Sequence, residues 1–508
     1  MSGSRFMNKS SAKKYDSDFC GNLPIHNINV VQPYGALIVA DKEGNICQVS
    51  ENCAGLFGEA LADIVNKPAS KFFDLETLVK QKPGFPQSVE VQNTGYQCIF
   101  HEYPDYYIIE INLDSRVNGT SASFVDVYHD LKASMEAIEE CNTFQDMLQV
   151  AAKELKKASG FDKVMIYRFD ENWNGHVLAE EREDDMESYL GLTFPASDVP
   201  KQARELYLRN PYRFIPDKNY QPVKLYPVIN PITNSFLDMT DCNLRGVATV
   251  HLEYLTNMKV TASMSTRIIR DGRLWGLIAC HHKTPMRMSF KVCTTFELLS
   301  GIISSRTSTI QSREIYDLNT HLSGIYTSLV EETYRSSDLV NSLLLNNNVL
   351  ELFNAGGIVI SYNGNVTSQG NVPEANEVED LILWLSSKTD DEAIYATDNL
   401  SDQYEHAAGF KDIASGLLAI EMDRKGDDFI LVFRPEVKQV INWGGDPETR
   451  INFDADMKSY HPRSSFRNWQ QEVAGVAEPW NNAEFGMAEN LRDFIKAYLN
   501  GKNYSYKK

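Results

Sequence analysis

An aspartate between two prolines, followed by a group of arginines, is the first feature whose residue types could do chemistry. Asp198 lies in the segment FPASDVP, and the helix-forming segment KQARELYL follows it. One interpretation is that Asp198 caps this helix, because an aspartate accepts hydrogen bonds from the first backbone N–H groups. The next polar side chains either form a solvated helix face or supply donors that suit carboxylates and phosphates; they are Arg204, Tyr207, Arg209 and Arg213.

A second polar group follows within the next seventy residues or so. Its histidines and cysteine raise the question of a metal site, but His281 and His282 are adjacent. In a strand, neighbouring side chains point to opposite faces, so these two cannot ligate one ion, and we expect no metal. The members of this group are Arg245, His251, Ser263, Ser265, Cys280, His281 and His282.

Aromatic residues are interspersed with both polar groups, and Tyr167, Tyr189, Phe194 and Tyr254 are the clearest examples. Guanidinium forks, hydroxyl donors and imidazoles among aromatic rings predict a pocket. Such a pocket suits a large planar ligand that bears carboxylates.

The N-terminal segment SDFCGNLPIH contains an isolated thiol, Cys20. No second cysteine lies close enough in sequence to suggest a pair, and an isolated thiol outside a core needs no function. The eight cysteines form no CxxC pair, and the spacing of Cys47 and Cys53 fits neither a zinc nor a redox motif. We therefore expect no structural disulfides.

Composition limits the class of protein. The 508 residues are 43% hydrophobic, which is enough for several cores and suggests about three domains. With 69 acidic and 49 basic residues the net charge is −20, so nucleic acid is not an expected partner. No apolar run approaches the roughly 20 residues of a membrane span, and we expect a cytoplasmic protein with no membrane partner.

Short β-rich runs separated by turns predict the elements that position these residues. One α+β unit extends from Val30 to about Leu113. A second covers about 125–305 and closes with the hairpin VTASMSTRIIRDGRLWGLIACHH. A third contains two more hairpins, AGGIVISYNGNVTSQG and ASGLLAIEMDRKGDDFILVFRPE. The sequence thus predicts an α+β fold with three successive domains.

Helical patterns join these units. We expect one helical segment over about 126–159, another over about 294–353 and a third near the C-terminus. The second segment has an apolar stripe with spacings of three and four, which packs either on its own domain or on a partner subunit. This stripe consists of Ile315, Leu318, Leu322, Ile325 and Leu329. Residues 437–479 are rich in Trp, Gly and Pro and do not read as a core.

Taken in order, several motifs resemble the photosensory module of the bacteriophytochromes, in the phytochrome family. They are DFCGNLPIH, QPYGALIVAD, FPASDVP, HLEYLTNM, WGLIACHHKTP, WGGDP and HPRSSF, and they extend over nearly the whole chain. The resemblance implies PAS, GAF and PHY domains joined by long helices. The expected boundaries are an N-terminal arm at 1–30, PAS at 31–120, GAF at 125–305, a connecting helix at 306–345, PHY at 346–490 with its tongue at about 437–479, and an output helix at 482–508.

The resemblance also implies a cofactor, biliverdin, attached through a thioether to Cys20. Other phytochrome lineages attach a more reduced bilin through a cysteine just before the pocket histidine, where this sequence has Val250. That departure favours Cys20. In the family the N-terminal arm passes through a GAF loop to form a knot, and residues 219–245 are the expected loop.

The family's chromophore-binding roles carry over residue by residue. Asp198 and His251 are expected near the pyrrole nitrogens, and His281 near the ring D carbonyl. The expected propionate ligands are Tyr207, Arg213, Arg245, Ser263 and Ser265. The residues expected around the moving ring are Tyr167, Phe194 and Tyr254.

The implied function is red/far-red light sensing through bilin isomerisation, coupled to refolding of the tongue. In one state Arg463 of the PRSSF segment is expected to pair with Asp198. The implied partners are a second copy, bound through the long helices, and an output or response-regulator protein. The family often continues into a histidine kinase, but we expect no enzyme in this chain.

Two alternatives come from other functional classes. A hydrolase could use Asp198, Cys280 and His281, but the sequence has no nucleophile elbow, HExxH motif or glycine-rich phosphate loop. A GAF module could instead sense a small molecule without photochemistry. Covalent pigment on Cys20 separates that alternative from a photoreceptor.

Overall fold

The computed structural model describes residues 25–116, 124–287, 290–388, 393–422, 428–447, 451–453 and 460–505. Cys20 lies outside these residues, so its predicted role is untested by the fold. The chain divides into two compact units. The first comprises Met1–Ile310 with Asn442–Trp469, and the second comprises Gln311–Ile441 with Gln470–Lys508.

The first sheet of the first unit corresponds to the predicted PAS domain. Its central strand Gly35–Asp41 is buried on both faces except at its last residue, and short helices cover the sheet. The helices are Cys53–Phe57, Leu61–Ile64, Ala69–Lys71 and Leu75–Val79. The strand order is Val30–Val31, Val223–Tyr226, Ile46–Ser50, Gly35–Asp41, Tyr106–Arg116, Thr94–Glu102 and Pro86–Val91.

The end of the N-terminal arm is bonded by two parts of the expected GAF loop. Val30 and Val31 pair with the strand Val223–Tyr226. The carbonyl of His26 accepts from the Met239 N–H at 3.1 Å, and that of Val30 accepts from the Gly246 N–H at 2.7 Å. The knot itself stays a prediction, because residues 1–24 are outside the described part of the chain.

A second sheet in the first unit forms the predicted GAF domain. Residues 164 and 166 face a core shared with helices, whereas 165 and 167 face the opposite side, as the two-residue period of a strand requires. The helices are Phe124–Glu139, Phe144–Ser159, Ala196–Asp198, Lys201–Arg209 and Thr249–Asn257. The strand order begins Tyr212–Ile215, Ala262–Arg270, Arg273–His282, Lys163–Phe169, Gly175–Arg182 and Thr193–Phe194.

The segment predicted to be the tongue contains four strands in its described residues. Trp443 continues the GAF sheet by pairing in parallel with Thr193. Residues 442–469 belong to the first unit. The tongue strands are Gln439–Gly444, Ile451–Phe453, Tyr460–Pro462 and Asn468–Val473.

Two helices predicted as continuous are interrupted. The segment over 126–159 divides at residues 140–143, where the Thr143 side chain caps a new helix by accepting from the Asp146 N–H at 3.1 Å. The long helix runs over Phe290–Ser336 and stops where Ser337 adopts φ 57°. Asp338 then caps the helix Leu339–Leu344, so the connecting helix expected at 306–345 is not continuous.

The second unit contains a five-stranded antiparallel sheet with helices on both faces. Leu322 and Leu329 of the long helix are buried in its core, but Ile315 and Leu318 are 48% and 39% exposed. The strand order is Asn365–Gly370, Gly357–Tyr362, Phe429–Arg434, Gly416–Glu421 and Ile394–Thr397. The remaining helices are Leu345–Asn347, Asn348–Leu352, Ala375–Ser386, Leu400–Gln403, Glu405–Gly409, Lys411–Ala414 and Asn482–Ser505.

Within the described ranges, none of the helices combines the length and apolar character needed to cross a membrane.

Candidate functional site

A cavity lies in the first unit, on the face of the GAF sheet opposite the helical core. Alternate residues of four neighbouring strands line it, because every second side chain of a strand points to the same face. Ten of the predicted site residues line this cavity: Tyr167, Phe194, Asp198, Tyr207, Arg213, His251, Tyr254, Ser263, Ser265 and His281.

Asp198 forms a buried ion pair with Arg463 of the tongue. Their side chains are 6% and 2% exposed, and Arg463 Nη2 donates to Asp198 Oδ2. The Tyr254 hydroxyl donates to the same carboxylate oxygen at 2.7 Å, and Arg463 Nη1 donates to the Gly444 carbonyl. The N-cap interpretation of Asp198 is wrong, because Pro200 precedes the helix and no side chain caps it.

Burial sets the electrostatics of this pair. It raises the pKa of Asp198, and the Arg463 guanidinium and the Tyr254 hydroxyl oppose that rise. Burial alone would lower the pKa of Arg463, but the Asp198 carboxylate raises it overall. Breaking the pair without supplying a new partner would leave a charge in a water-poor site, which is costly.

Cationic and hydroxyl donors lie on another part of the cavity wall. Arg213 donates to the carbonyls of Asn243, Arg245 and Gly246 at 3.0, 2.5 and 2.8 Å. The Tyr207 hydroxyl lies 2.5 Å from Ser265 Oγ. This part of the wall can therefore present a guanidinium and several hydroxyls to one ligand.

Arg245 does not line the cavity, unlike the other described residues that were predicted to bind the chromophore. Its Nη1 lies 3.4 Å from the carbonyls of both Met239 and Thr240. Burial and then the nearby charge of Arg213 lower the pKa of Arg245 to about 9. The positive charge of Arg213 disfavours the charged form of Arg245 in this buried region. A bound anion would stabilise the charged forms of both guanidiniums.

Two imidazoles face the same cavity. Burial lowers the pKa of His251 to about 4, with a further contribution from Arg213. Burial lowers the pKa of His281 to about 3, with contributions from Lys163 and His251. His281 Nδ1 is buried and lacks a hydrogen-bond partner among the described residues. Both rings are thus neutral at pH 7, and one has a free hydrogen-bonding atom.

The adjacent histidines point to opposite faces, as predicted. His282 Nδ1 lies 3.0 Å from Asp162 Oδ2, and its ring meets the Phe161 ring edge-on. Cys280 is buried in the helical core with Phe161, which argues against a nucleophile beside His281. The hydrolase alternative therefore lacks its predicted constellation.

Aromatic rings close the remaining walls. The centroid of Phe194 lies 6.1 Å from that of Tyr167 and 5.6 Å from that of Tyr189. Tyr254 packs against His251 with centroids 5.9 Å apart and meets the Phe466 ring of the tongue edge-on. A Cβ built on Gly444 would lie 2.8 Å from the Phe194 ring, so the tongue backbone is in close contact with this wall.

Arg204 and Arg209, which follow Asp198 in the sequence, do not line the cavity. Arg204 donates to the carbonyls of Ala196 and Val199 and stacks on Trp173. Arg209 pairs with Asp241 at the surface. Arg204 thus fixes the turn around Asp198, and Arg209 is on a solvated face.

The sequence reasoning missed most of the apolar lining. Period-two alternation within the strands would have indicated those that flank Tyr167 and His281. The apolar lining residues on helices and turns have no comparable pattern in the sequence that indicates which of them face the cavity. The missed residues are Met165, Val177, Val199, Ile215, Leu255, Met258, Leu277 and Ala279.

A buried trio has ligand-type atoms within 4.8 Å of one another: His101 and Glu110 of the PAS sheet and Cys242 of the expected GAF loop. His101 Nε2 lies 2.7 Å from Glu110 Oε1, and the backbone N–H groups of Asn243 and Leu244 donate to the same carboxylate. These hydrogen bonds account for the buried carboxylate without an ion.

Comparison with known proteins assigns all three domains. The family model for the PAS fold matches residues 20–112, that for the GAF domain matches 143–305, and that for the phytochrome region matches 322–503.

Curated relatives match along almost the whole chain. Cyanobacterial phytochrome B of Nostoc sp. is 35% identical over 94% of this chain and 66% of its own length. A bacteriophytochrome of Xanthomonas campestris pv. campestris is 30% identical over 95% of this chain and 78% of its own length. The chain therefore spans about two thirds of the length of the first of these relatives.

Solved structures agree with this assignment. A bacteriophytochrome from the photosynthetic bacterium R. palustris superposes with a TM-score of 0.83 at 30% identity, covering 95% of this chain and 99% of that one. The phytochrome photosensory core module of Stigmatella aurantiaca gives a TM-score of 0.79 at 32% identity, covering 95% and 98%. The chain belongs to the phytochrome family, and it has the PAS, GAF and PHY organisation of a bacteriophytochrome photosensory module.

Proposed function

We propose that this chain binds biliverdin in the GAF cavity, attaches it to Cys20 and uses it to sense red and far-red light. The observation that carries the proposal is the lining of the cavity, which combines anion donors, two neutral imidazoles and aromatic walls. A linear tetrapyrrole with two propionates matches that set. Arg213, Tyr207, Ser263 and Ser265 would hold propionates, and the charge of Arg245, which interacts with that of Arg213, would add to the attraction for an anion.

The residues present fit such a ligand. The Nδ1 atom of His281 has no partner in the described chain and is available for a polar group such as a ring carbonyl. Asp198 offers a buried carboxylate and His251 a buried imidazole, which together can support a protonated pyrrole system. When bound, the tetrapyrrole supplies light absorption and isomerisation of the double bond between rings C and D.

The protein's own part is to orient the ligand, exclude water and respond to its change. Tyr167, Phe194 and Tyr254 enclose the cavity, and the Asp198–Arg463 pair joins its wall to the tongue. We infer that this pair is the contact on which signalling depends. A change of hydrogen bonding at Asp198 or His281 would shift the equilibrium between the present strand form of the tongue and a helical form.

Signalling requires partners beyond this chain. We propose that the module forms a homodimer through its long helices and passes its state to an output domain or response-regulator partner in the cytoplasm. The full-length phytochrome's output activity, such as a histidine kinase, belongs to this proposal.

The test is to co-express the chain with a haem oxygenase and compare wild type with Cys20→Ala. Absorption spectra before and after red and far-red light report photoconversion, and a zinc-fluorescence gel reports covalent pigment. Cys141→Ala is the matched control, because Cys141 is a partly buried thiol outside the cavity. We expect reversible spectra and covalent pigment in wild type and control, with covalent pigment lost in Cys20→Ala.

Two results would contradict the proposal. Covalent pigment that persists in Cys20→Ala would show that Cys20 is not the attachment residue. Protein that stays colourless with biliverdin present would favour a GAF module that senses another anion without photochemistry.

A further inference from the structure

Lys163 is a buried cation beside the cavity that the proposed function does not use. It is 1% exposed, and its ammonium group donates to the Glu187 carbonyl. Its Nζ lies 3.4 Å from Glu180 Oε1 and 3.7 Å from the centroid of the Tyr189 ring. A lysine buried to this extent requires such partners, because an unpaired ammonium in an apolar site is costly.

Glu180 fixes the neighbouring segment through its two oxygens. Oε1 accepts from the Tyr189 N–H at 3.0 Å, and Oε2 accepts from the Ser188 hydroxyl at 2.6 Å. Arg182 Nε lies 3.6 Å from Oε2. The Lys163–Glu180 pair therefore holds residues 187–189 by backbone, hydroxyl and ring contacts, and Tyr189 is the member of this segment that lines the cavity.

The same lysine is a direct cross-strand neighbour of His281. The register of strands Arg273–His282 and Lys163–Phe169 places these two residues opposite each other. Side chains directly opposite on antiparallel strands lie on the same face of the sheet and are close enough to interact. The charged or titratable groups that act on His281 are Lys163 from its neighbouring strand and His251 from the helix, and Arg213 acts on His251 in turn.

We propose that the buried Lys163–Glu180 pair is a positioning device for the chromophore site, which fixes the Tyr189 wall and supplies a positive charge next to His281. This inference rests on the proposed function for its consequence, namely that the pair tunes absorption and photoconversion. The effect of the pair on Tyr189 and His281 involves only the protein's own residues, so it can be tested without a ligand.

The variants separate this role from simple stability. Lys163→Met with Glu180→Gln removes the charges of both partners and preserves the carbonyl oxygen that accepts from Tyr189. Replacing a buried ion pair by neutral side chains is often tolerated by the fold. Lys163→Arg retains the charge. Lys283→Met is the matched control, because Lys283 is two residues from His281 but lies at the surface, paired with Asp185 at 2.7 Å.

The first measurement is NMR of the protein without bilin, with labelled tyrosine and histidine. In the double variant we expect the Tyr189 ring resonances to move and the pKa of His281 to rise, because Lys163 lowers that pKa whereas Glu180 is not among the groups that act on it. In Lys163→Arg the pKa of His281 should stay low, and in Lys283→Met both signals should match wild type. Unchanged Tyr189 and His281 signals in a folded double variant would overturn the proposal.

The second measurement is the absorption spectrum and photoconversion rate of the bilin-loaded protein. We expect a displaced absorption maximum in the double variant, and wild-type maxima in Lys283→Met. Wild-type spectra in the double variant would refute the tuning role even if the NMR signals moved. Failure of wild type itself to bind bilin would refute the proposed function, while the NMR result would still decide whether the pair positions Tyr189.

Discussion

At the scale of single residues, the Asp198–Arg463 pair is the clearest test of the site. Arg463→Ala removes one partner from a pair whose side chains are almost fully buried. The remaining carboxylate is left near Tyr254 alone, and losing one partner of a buried pair costs about 3 kcal/mol or more.

We expect this loss to appear as local opening of the tongue. A cost of about 3 kcal/mol corresponds to roughly 100-fold faster amide hydrogen exchange in residues 442–447 and 460–469. Arg467→Ala, an exposed arginine of the same segment, should leave exchange at the wild-type rate. Equal protection in Arg463→Ala and wild type would show that the pair does not hold the tongue.

Burial of His251 predicts how the free energy of unfolding of the protein without bilin changes at acid pH. The pKa of His251 falls from 6.5 to about 4 on folding, so between these values the unfolded chain binds more protons than the folded one. Stability is therefore greatest above pH 6.5 and falls as pH drops towards 4, by about 3 kcal/mol at most from this residue. Denaturant unfolding of His251→Gln should show a shallower decline than wild type over this range. His129→Gln, at an exposed position, should decline like wild type.

Ten of the residues predicted for the site line one cavity, and they could be named because the order of several motifs, rather than any single motif, is specific. The prediction of Asp198 as a helix cap failed because capping is local, whereas its real partners, Tyr254 and Arg463, are 56 and 265 residues away in sequence. Arg245 was predicted to contact the ligand but does not line the cavity. Its backbone position is beside the site, but loop carbonyls direct its guanidinium elsewhere.

At the scale of elements, the long helix Phe290–Ser336 combines two roles that its apolar stripe left open. Leu322 and Leu329 are buried in the core of their own unit, whereas Ile315 and Leu318 are exposed. The exposed pair is the part of the stripe available to a partner subunit.

We expect Ile315→Glu with Leu318→Glu to convert a dimer into a monomer without loss of folding, because charges would be introduced at an apolar contact between subunits. Sedimentation velocity measures the oligomeric state, and circular dichroism confirms folding. Asn319→Glu with Ser323→Glu introduces the same charge at exposed positions of the same helix and should remain dimeric. A dimer that persists in the first variant would place the subunit contact elsewhere.

Helix interruptions were the least predictable elements. The stop at Ser337 requires a positive φ in a residue that is neither glycine nor asparagine, and periodicity contains no signal for it. The break before Thr143 does have a signal, the Thr-x-x-Asp pattern of an N-cap, but the apolar period continues through it. Hairpins were predicted more reliably, because two alternating runs around a turn specify both strands and their pairing.

At the scale of the whole molecule, the two compact units predict two unfolding transitions. Arg463 and the entire cavity lining belong to the first unit. A ligand that binds only the folded site stabilises that unit by mass action, by about 2.7 kcal/mol at 100 times its dissociation constant.

We therefore expect biliverdin to raise the unfolding temperature of the first unit and to leave that of the second unit nearly unchanged. Calorimetry can resolve the transitions, and hydrogen exchange can assign them to residues. Addition of an unrelated anionic dye is the control for non-specific binding. Equal stabilisation of both units would show that they unfold cooperatively.

The separation of Asp198 and Arg463 along the chain also has a consequence in time. Arg463 is made 265 positions after Asp198, at about 5–20 residues per second, so Asp198 lacks this partner for roughly 13 to 50 s after it has been made. In that interval the GAF sheet can fold while the place of Arg463 and Phe466 is still open to solvent. A newly made chain thus passes through a stage in which Asp198 and Tyr254 are already made but lack their contacts with Arg463 and Phe466.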